Sequence, residues 1–332
     1  QIPGTAKLIA VTRSEADAKE NRRPTLTAVA DPAALLCALA EHVPAGAKVI
    51  TCYLRGAARG RFVRHHGWTR WLPRVTAHFS DALTAPEFPG LSNATARAKV
   101  TTWLRDQMTR QQFDAEMAFG PQNLLAAVCE TAANIPHRVA LEDVSFQELT
   151  YRRLLVGAEV LATEWRRRLG SATGERIGIL LPNINAQPVA LLSLWAARKV
   201  PAMLNYSTGI PVMLQCAHLA GLKQIVTSRA FLEKAKLHAP ALTEAGLTLH
   251  CLEDIRPEIS GRTKALALLK HSLACGTGLR DTPLRAEDTA VVLFTSGSEG
   301  VPKGVELTHS NLLANVRQAT ALIDVTDGDR FF

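Results

Sequence analysis

Apolar and polar positions change rhythm near residue 113. Beyond Phe113, apolar residues recur at helical spacing over Asn123–Thr131 and Ser145–Arg168, the second carrying Leu149, Leu154, Leu155, Val160, Leu161 and Trp165. Gly170 to Gly174 breaks that pattern. Arg176–Leu181 (RIGILL) is then a short apolar run of the kind a parallel sheet buries on both faces, ended by Pro182-Asn183. The spacing predicts a helix over Val189–Arg198, strands over Val200–Leu204, Gln224–Thr227 and Leu247–Leu252, and a helix near Phe231–Leu237. Arg256–Arg285 reads as a Lys/Leu-rich helix followed by a loop through Gly276 and Gly278. The apolar run Ala290–Phe294, a short strand Val305–Leu307 and a helix from Thr308-His309-Ser310-Asn311 through Leu322 close the series. Strands alternating with helices imply right-handed crossovers and a mainly parallel sheet flanked by helices, an α/β architecture.

Residues 1–112 form a different unit. Lys48–Cys52 and Val75–Phe79 read as strands, and Asn93 as the cap of a helix with Ala96, Val100, Trp103, Leu104 and Met108 on one face. Arg110–Ala118 reads as a linker. The expected division is therefore 1–112 and 113–332, in keeping with about two domains for 332 residues.

Composition excludes more than it identifies. The chain is 47% hydrophobic and 20% charged, as globular proteins are. No apolar run approaches the ~20 residues of a membrane-spanning helix. The opening QIPGTAK does not resemble a signal peptide. It lacks methionine, and the chain stops at Phe331-Phe332 within an apolar strand pattern, so the expectation is a segment of something longer. The six cysteines are scattered, without CxxC or a cysteine–histidine cluster at zinc spacing. That predicts reduced thiols, a cytoplasmic protein and no metal site built on cysteine.

The candidate chemistry lies at Thr295–Val305, TSGSEGVPKGV. A strand, a Gly/Ser-rich turn and a lysine together suit phosphate oxygens: glycines admit the anion to backbone N–H groups, hydroxyls donate, and lysine supplies charge. Pro302 before Lys303 and Gly304 after it exclude a Walker A loop. Asn183 and Asn185 read as turn formers, Trp195 as core, and His309 as a helix-opening residue rather than an acid or base.

Thr295, Ser296, Gly297, Ser298, Gly300, Pro302, Lys303 and Gly304 satisfy the pattern [ST]-[ST]-G-[ST]-x-G-x-P-K-G of adenylate-forming enzymes, which this segment resembles. That superfamily holds acyl-CoA synthetases, luciferases and peptide-synthetase adenylation domains. Glu299 stands where threonine or serine is commoner. The stretches LPNINAQPVALLSLWAARKVPAMLNYSTG and IVTSRAFLEKAKL are similar to the bacterial bifunctional acylglycerophosphoethanolamine acyltransferase/acyl-[acyl carrier protein] synthetases. Those enzymes join a glycerolipid acyltransferase domain to an adenylate-forming one. VITCYLRGAARGRFVRHHGWTRWLPRVTAHF looks like the tail of the former. No histidine here has aspartate five residues on, so acyltransferase activity is not expected of residues 1–112.

The resemblance implies an incomplete N-terminal subdomain of an adenylate-forming domain. Its reaction activates a fatty acid with ATP and Mg²⁺ through an acyl-adenylate, then passes the acyl group to acyl carrier protein or CoA. Thr295, Ser296, Gly297, Ser298, Glu299, Gly300, Lys303 and Gly304 are the implied nucleotide-binding residues. Only 27 residues follow Val305, so catalytic residues and metal ligands are expected elsewhere, and the isolated segment is expected to be inactive. The alternative is an inactive scaffold binding carrier protein or lipid. Arg55, Arg59, Arg61, Arg64 and Arg70, interleaved with Phe62, Trp68 and Trp71, suit peripheral contact with an anionic membrane. No nucleic-acid-binding motif accompanies them.

Overall fold

The computed structural model describes residues 9–12, 26–29, 48–55, 75–144, 146–296 and 302–323. The chain divides into two compact units, 1–119 with 317–332, and 120–316.

In the first unit β1 (Ile9–Thr12) pairs in parallel with β2 (Leu26–Val29). The short strands β3 (Lys48–Val49), β4 (Cys52–Arg55), β5 (Thr76–Phe79) and β6 (Leu83–Thr84) pair antiparallel, β3 with β6 and β4 with β5. Helix α1 (Asn93–Phe119) follows. Its cap is Ser92 rather than the expected Asn93: the Ser92 Oγ accepts the Thr95 N–H at 3.3 Å, the reach of a hydroxyl one residue before the helix. The expected linker Arg110–Ala118 is the last third of this helix. It contains no glycine or proline, and two of its polar side chains reach β4 and β5. Gln111 Nε2 donates to the carbonyls of Thr51 (3.1 Å) and His78 (2.7 Å), and Glu116 accepts from Tyr53 Oη at 2.9 Å.

The second unit opens with α2 (Leu124–Asn134), capped by Asn123, whose Oδ1 accepts the Ala126 N–H at 2.8 Å. A hairpin of β7 (Val139–Glu142) and β8 (Glu148–Thr150) leads into α3 (Tyr151–Arg168). Helix α3 starts six residues later than the apolar spacing suggests, because Leu149 belongs to the hairpin and Thr150 is the cap. There follow β9 (Arg176–Leu180), α4 (Ala186–Ala196), β10 (Val200–Met203), α5 (Gly209–Leu219), β11 (Gln224–Thr227), α6 (Arg229–Lys234), α7 (Ala239–Glu244) and β12 (Thr248–Cys251). The last elements are α8 (Leu252–Glu258), α9 (Gly261–Leu273), β13 (Thr289–Ser296), β14 (Pro302–Thr308) and α10 (His309–Leu322). Helix α5 has no counterpart in the sequence reading.

Six of these strands form one sheet in the order β12-β11-β9-β10-β13-β14. All neighbours are parallel except β13 and β14. The chain steps one way along the sheet from β9 to β10 and from β12 to β13, and the other way from β10 to β11 and β11 to β12. Right-handed crossovers then place α4 and α9 on one face and α5, α6 and α7 on the other. The core residues follow that division. Ile177, Ile179 and Leu181 are buried with Leu155 and Trp165 of α3, Leu194 of α4 and Ala267 of α9. On the opposite face Leu180, Ala202, Ile225 and Val292 are buried with Met213 of α5, Leu232 of α6 and Leu242 of α7. Gly178 lies on that second face, where a β-carbon would come within 2.9 Å of Ile225 Cγ1 and 3.2 Å of Leu222 Cδ1. Strand packing, rather than a turn, requires glycine there.

Candidate functional site

Strand β13 is buried through Val292 and emerges at its end, where Thr295 and Ser296 are exposed. The chain returns antiparallel as β14, with Thr295 opposite Lys303 and Ser296 opposite Pro302. Pro302 tolerates this place because β14 is the edge strand and proline sits at its first residue. Strand β13 runs parallel to β10, so its exposed end lies at the carboxyl ends of the parallel strands, the edge at which open α/β sheets bind ligands.

Of the sequence-predicted residues, the structure brings together Thr295, Ser296, Lys303 and Gly304; Gly297, Ser298, Glu299 and Gly300 lie outside the described residues. Lys303 is exposed and, among the described residues, makes no ion pair. The one carboxylate on β14, Glu306, is held by Arg176 and by the Thr289 hydroxyl, which donates to it at 3.0 Å. It leaves the positive charge of Lys303 unopposed on its own strand. A β-carbon at Gly304 would meet Leu219 Cδ2 at 3.5 Å, an ordinary contact, so packing does not demand glycine at that position.

Strand β10, the neighbour of β13, ends in a 3₁₀ turn at Tyr206–Thr208. The Asn205 Oδ1 accepts both the backbone N–H (3.0 Å) and the hydroxyl (2.8 Å) of Ser207. Tyr206 is half exposed and packs edge-on against Phe231 at 5.2 Å.

Two buried polar residues of the sheet unit, Lys199 and His309, have structural roles. Buried Lys199 donates to the carbonyls of Leu169 (3.0 Å) and Ala172 (2.8 Å) and to Glu175 Oε2 (2.7 Å), at the amino end of β10 and hence at the opposite end of the sheet from Thr295 and Ser296. His309 opens α10 and is buried: its Nδ1 accepts the Leu124 N–H at 3.3 Å, and its ring meets Trp195 at 5.3 Å. Burial depresses its pKa to about 4, partly offset by Asp288, so it is neutral near pH 7. Thr308 caps α10 reciprocally, its Oγ1 accepting from Asn311 N–H (3.1 Å) while Asn311 Oδ1 accepts from Thr308 N–H (3.0 Å). Trp195 is core, with Nε1 donating to the Ala290 carbonyl at 2.7 Å.

Of the basic stretch, Arg55 is described; its Nε lies 3.2 Å from Glu116 Oε2, so that charge is paired within the first unit. Arg59, Arg61, Arg64 and Arg70 lie outside the described residues. Among the described residues no helix is long and apolar enough to cross a membrane, and no three His, Cys, Asp or Glu side chains gather as a metal site.

A family model described as AMP-binding enzyme matches residues 128–332. The medium-chain fatty-acid–CoA ligase of Escherichia coli (strain K12) is 28% identical over 249 residues, covering 70% of this chain and 41% of that protein. The 4-coumarate–CoA ligase-like 3 of Oryza sativa subsp. japonica is 31% identical over 166 residues, covering 49% of this chain and 28% of that protein. The chain thus spans less than half the length of these relatives. The crystal structure of VinN with 3-methylaspartate matches with a TM-score of 0.50 at 23% identity, over 61% of this chain and 52% of that one. At that identity the likeness concerns the fold: a mainly parallel sheet flanked by helices.

Proposed function

This chain belongs to the AMP-binding enzyme family, and from that premise we propose that it serves the ATP-dependent activation of a fatty carboxylate. In the reaction, a carboxylate oxygen bonds to the α-phosphorus of ATP as the bond to pyrophosphate breaks, giving an acyl-adenylate. A phosphopantetheine thiol then bonds to the acyl carbon as AMP leaves. CoA is the acceptor suggested by the names of the relatives; acyl carrier protein is the finer alternative suggested by the sequence resemblance.

The observation that carries this reading is the placement of Thr295 and Ser296 opposite Lys303 and Pro302, at the carboxyl edge of the sheet. The Thr295 and Ser296 hydroxyls donate to phosphate oxygens, and Lys303 offsets the charge that builds as pyrophosphate departs. Mg²⁺, when bound with the nucleotide, supplies further charge neutralisation; the described residues contribute hydroxyl donors and a cation, not a carboxylate cluster, so its ligands are assigned to other residues. Residues 1–112 are proposed as the end of an acyltransferase-like domain without acyl transfer of its own.

ATP–pyrophosphate exchange tests the proposal. It is run on these 332 residues and on the complete natural polypeptide carrying them, with fatty acids of several lengths. Fatty-acid-dependent exchange by the complete polypeptide supports the ligase; exchange by neither leaves the inactive scaffold as the better reading.

A further inference from the structure

Helix α9 turns leucines in two directions. Leu266, Leu269 and Leu273, at i, i+3 and i+7, are 66%, 57% and 80% exposed on one side, and Leu268, on another side of the helix, is 53% exposed. The helix packs through its other face, where Ala267 and His271 are buried. His271 Nε2 and Lys270 Nζ each lie 2.6 Å from a carboxylate oxygen of Glu159 on α3. The Gly276 N–H donates to His271 Nδ1 at 3.0 Å, so Nε2 carries the proton that faces Glu159. The inner face is therefore anchored, and the leucine stripe points away from it.

A surface helix normally turns its apolar stripe toward the core. Here the stripe is open, and the charge carried by the helix itself has one sign. Residues 261–273 include Arg262, Lys264 and Lys270 and no acid. Lys270 is neutralised by Glu159, whereas Arg262, one turn before Leu266 on the same line, makes no ion pair among the described residues. Three leucines offer much less than the ~800 Å² each partner buries in a stable protein complex. A lipid surface asks for less: a helix lying flat, apolar side chains below the headgroups and cations at the phosphates.

We propose that α9 is a docking surface for an anionic lipid bilayer, with Leu266, Leu269 and Leu273 entering the acyl boundary and Arg262 meeting headgroup phosphates. The proposal does not rest on the ligase reading, and its test does not use activity. The complete natural polypeptide is sedimented with vesicles of phosphatidylcholine alone and of phosphatidylcholine with phosphatidylglycerol. The variants are a combined Leu266→Ser, Leu269→Ser, Leu273→Ser and, separately, Arg262→Glu. The expected result is binding to the anionic vesicles, lowered roughly tenfold or more by the leucine substitutions. Arg262→Glu is expected to lower it severalfold at low salt, with the difference fading in high salt. Absence of wild-type binding overturns the proposal, as does binding that the leucine variant leaves unchanged. A wild-type dimer that the leucine variant splits assigns the stripe to a second copy. A clear fall in the variant's melting temperature assigns it to burial elsewhere in the polypeptide.

Discussion

Thr295 stands directly opposite Lys303 in the antiparallel pair that closes the sheet, with one further rung, Ser296 opposite Pro302, before the connection. The register sets a hydroxyl and an ammonium group side by side at the base of the hairpin. Both are exposed, so neither is needed to hold the fold. Lys303→Ala in the complete polypeptide is expected to lower ATP–pyrophosphate exchange by on the order of 100-fold, as loss of one preorganised electrostatic partner does elsewhere. Thermal unfolding should shift by less than about 0.5 kcal/mol. Unchanged exchange in this variant removes Lys303 from the site.

Gly178 faces Ile225, Leu222 and Leu204 so closely that a methyl group cannot enter without displacing them. Gly178→Ala is expected to destabilise by about 1–3 kcal/mol through overpacking. Gly261, at the first position of α9, has open space around its Cα and supplies the control. There Ala should leave stability unchanged or raise it by about 0.4–1 kcal/mol. Chemical denaturation of the two variants decides: equal midpoints refute the packing account of Gly178.

Much of the sheet could be read in advance because its strands are short apolar runs bounded by glycine and proline. RIGILL less its last residue is β9, and Gln224–Thr227 is β11. Spacing misled where two elements share one apolar rhythm. Leu149 continues the helical period of α3 but belongs to a strand, and Thr150 starts the helix because its hydroxyl caps it. Helix α5 is hard to see in the sequence, since GIPVMLQCAHL carries glycine and proline, both poor helix formers, in its first turn. The phosphate-loop pattern names candidate residues without their geometry. Nothing in TSGSEGVPKG states that Thr295 faces Lys303, or that Glu306 is engaged by Arg176. Likewise Arg55 belongs to a basic run by sequence, yet its partner Glu116 is 61 residues away.

The cysteines should differ sharply in reactivity. Cys52 is exposed, whereas Cys129 is buried between α2 and its neighbours, and burial pushes its thiol up to about 12. Since the thiolate is the nucleophile, Cys129 should resist alkylation at pH 8 in the native protein and react once denaturant is added. Cys52 should label under both conditions. Peptide mass spectrometry after a short iodoacetamide pulse reads both sites, and native labelling of Cys129 at the rate of Cys52 contradicts the burial.

His309 makes stability depend on pH with a definite sign. Its folded pKa is about 4, against an ordinary histidine value near 6.5, because the ring is buried among Trp195 and Leu124 while Asp288 only partly compensates. Between these values the unfolded chain binds a proton that the folded chain does not, so stability rises with pH across the window and levels off above about 6.5. Acidification from pH 6.5 toward 4 should accordingly remove on the order of 3 kcal/mol through this residue. His250, also depressed by burial, contributes with the same sign, so the test must isolate one ring. His309→Gln preserves an acceptor for the Leu124 N–H but cannot titrate. The variant should be less stable than the parent at pH 7, yet lose less stability on acidification, so the two melting profiles converge toward pH 4. Parallel profiles across that range mean that His309 is protonated in the fold as readily as out of it.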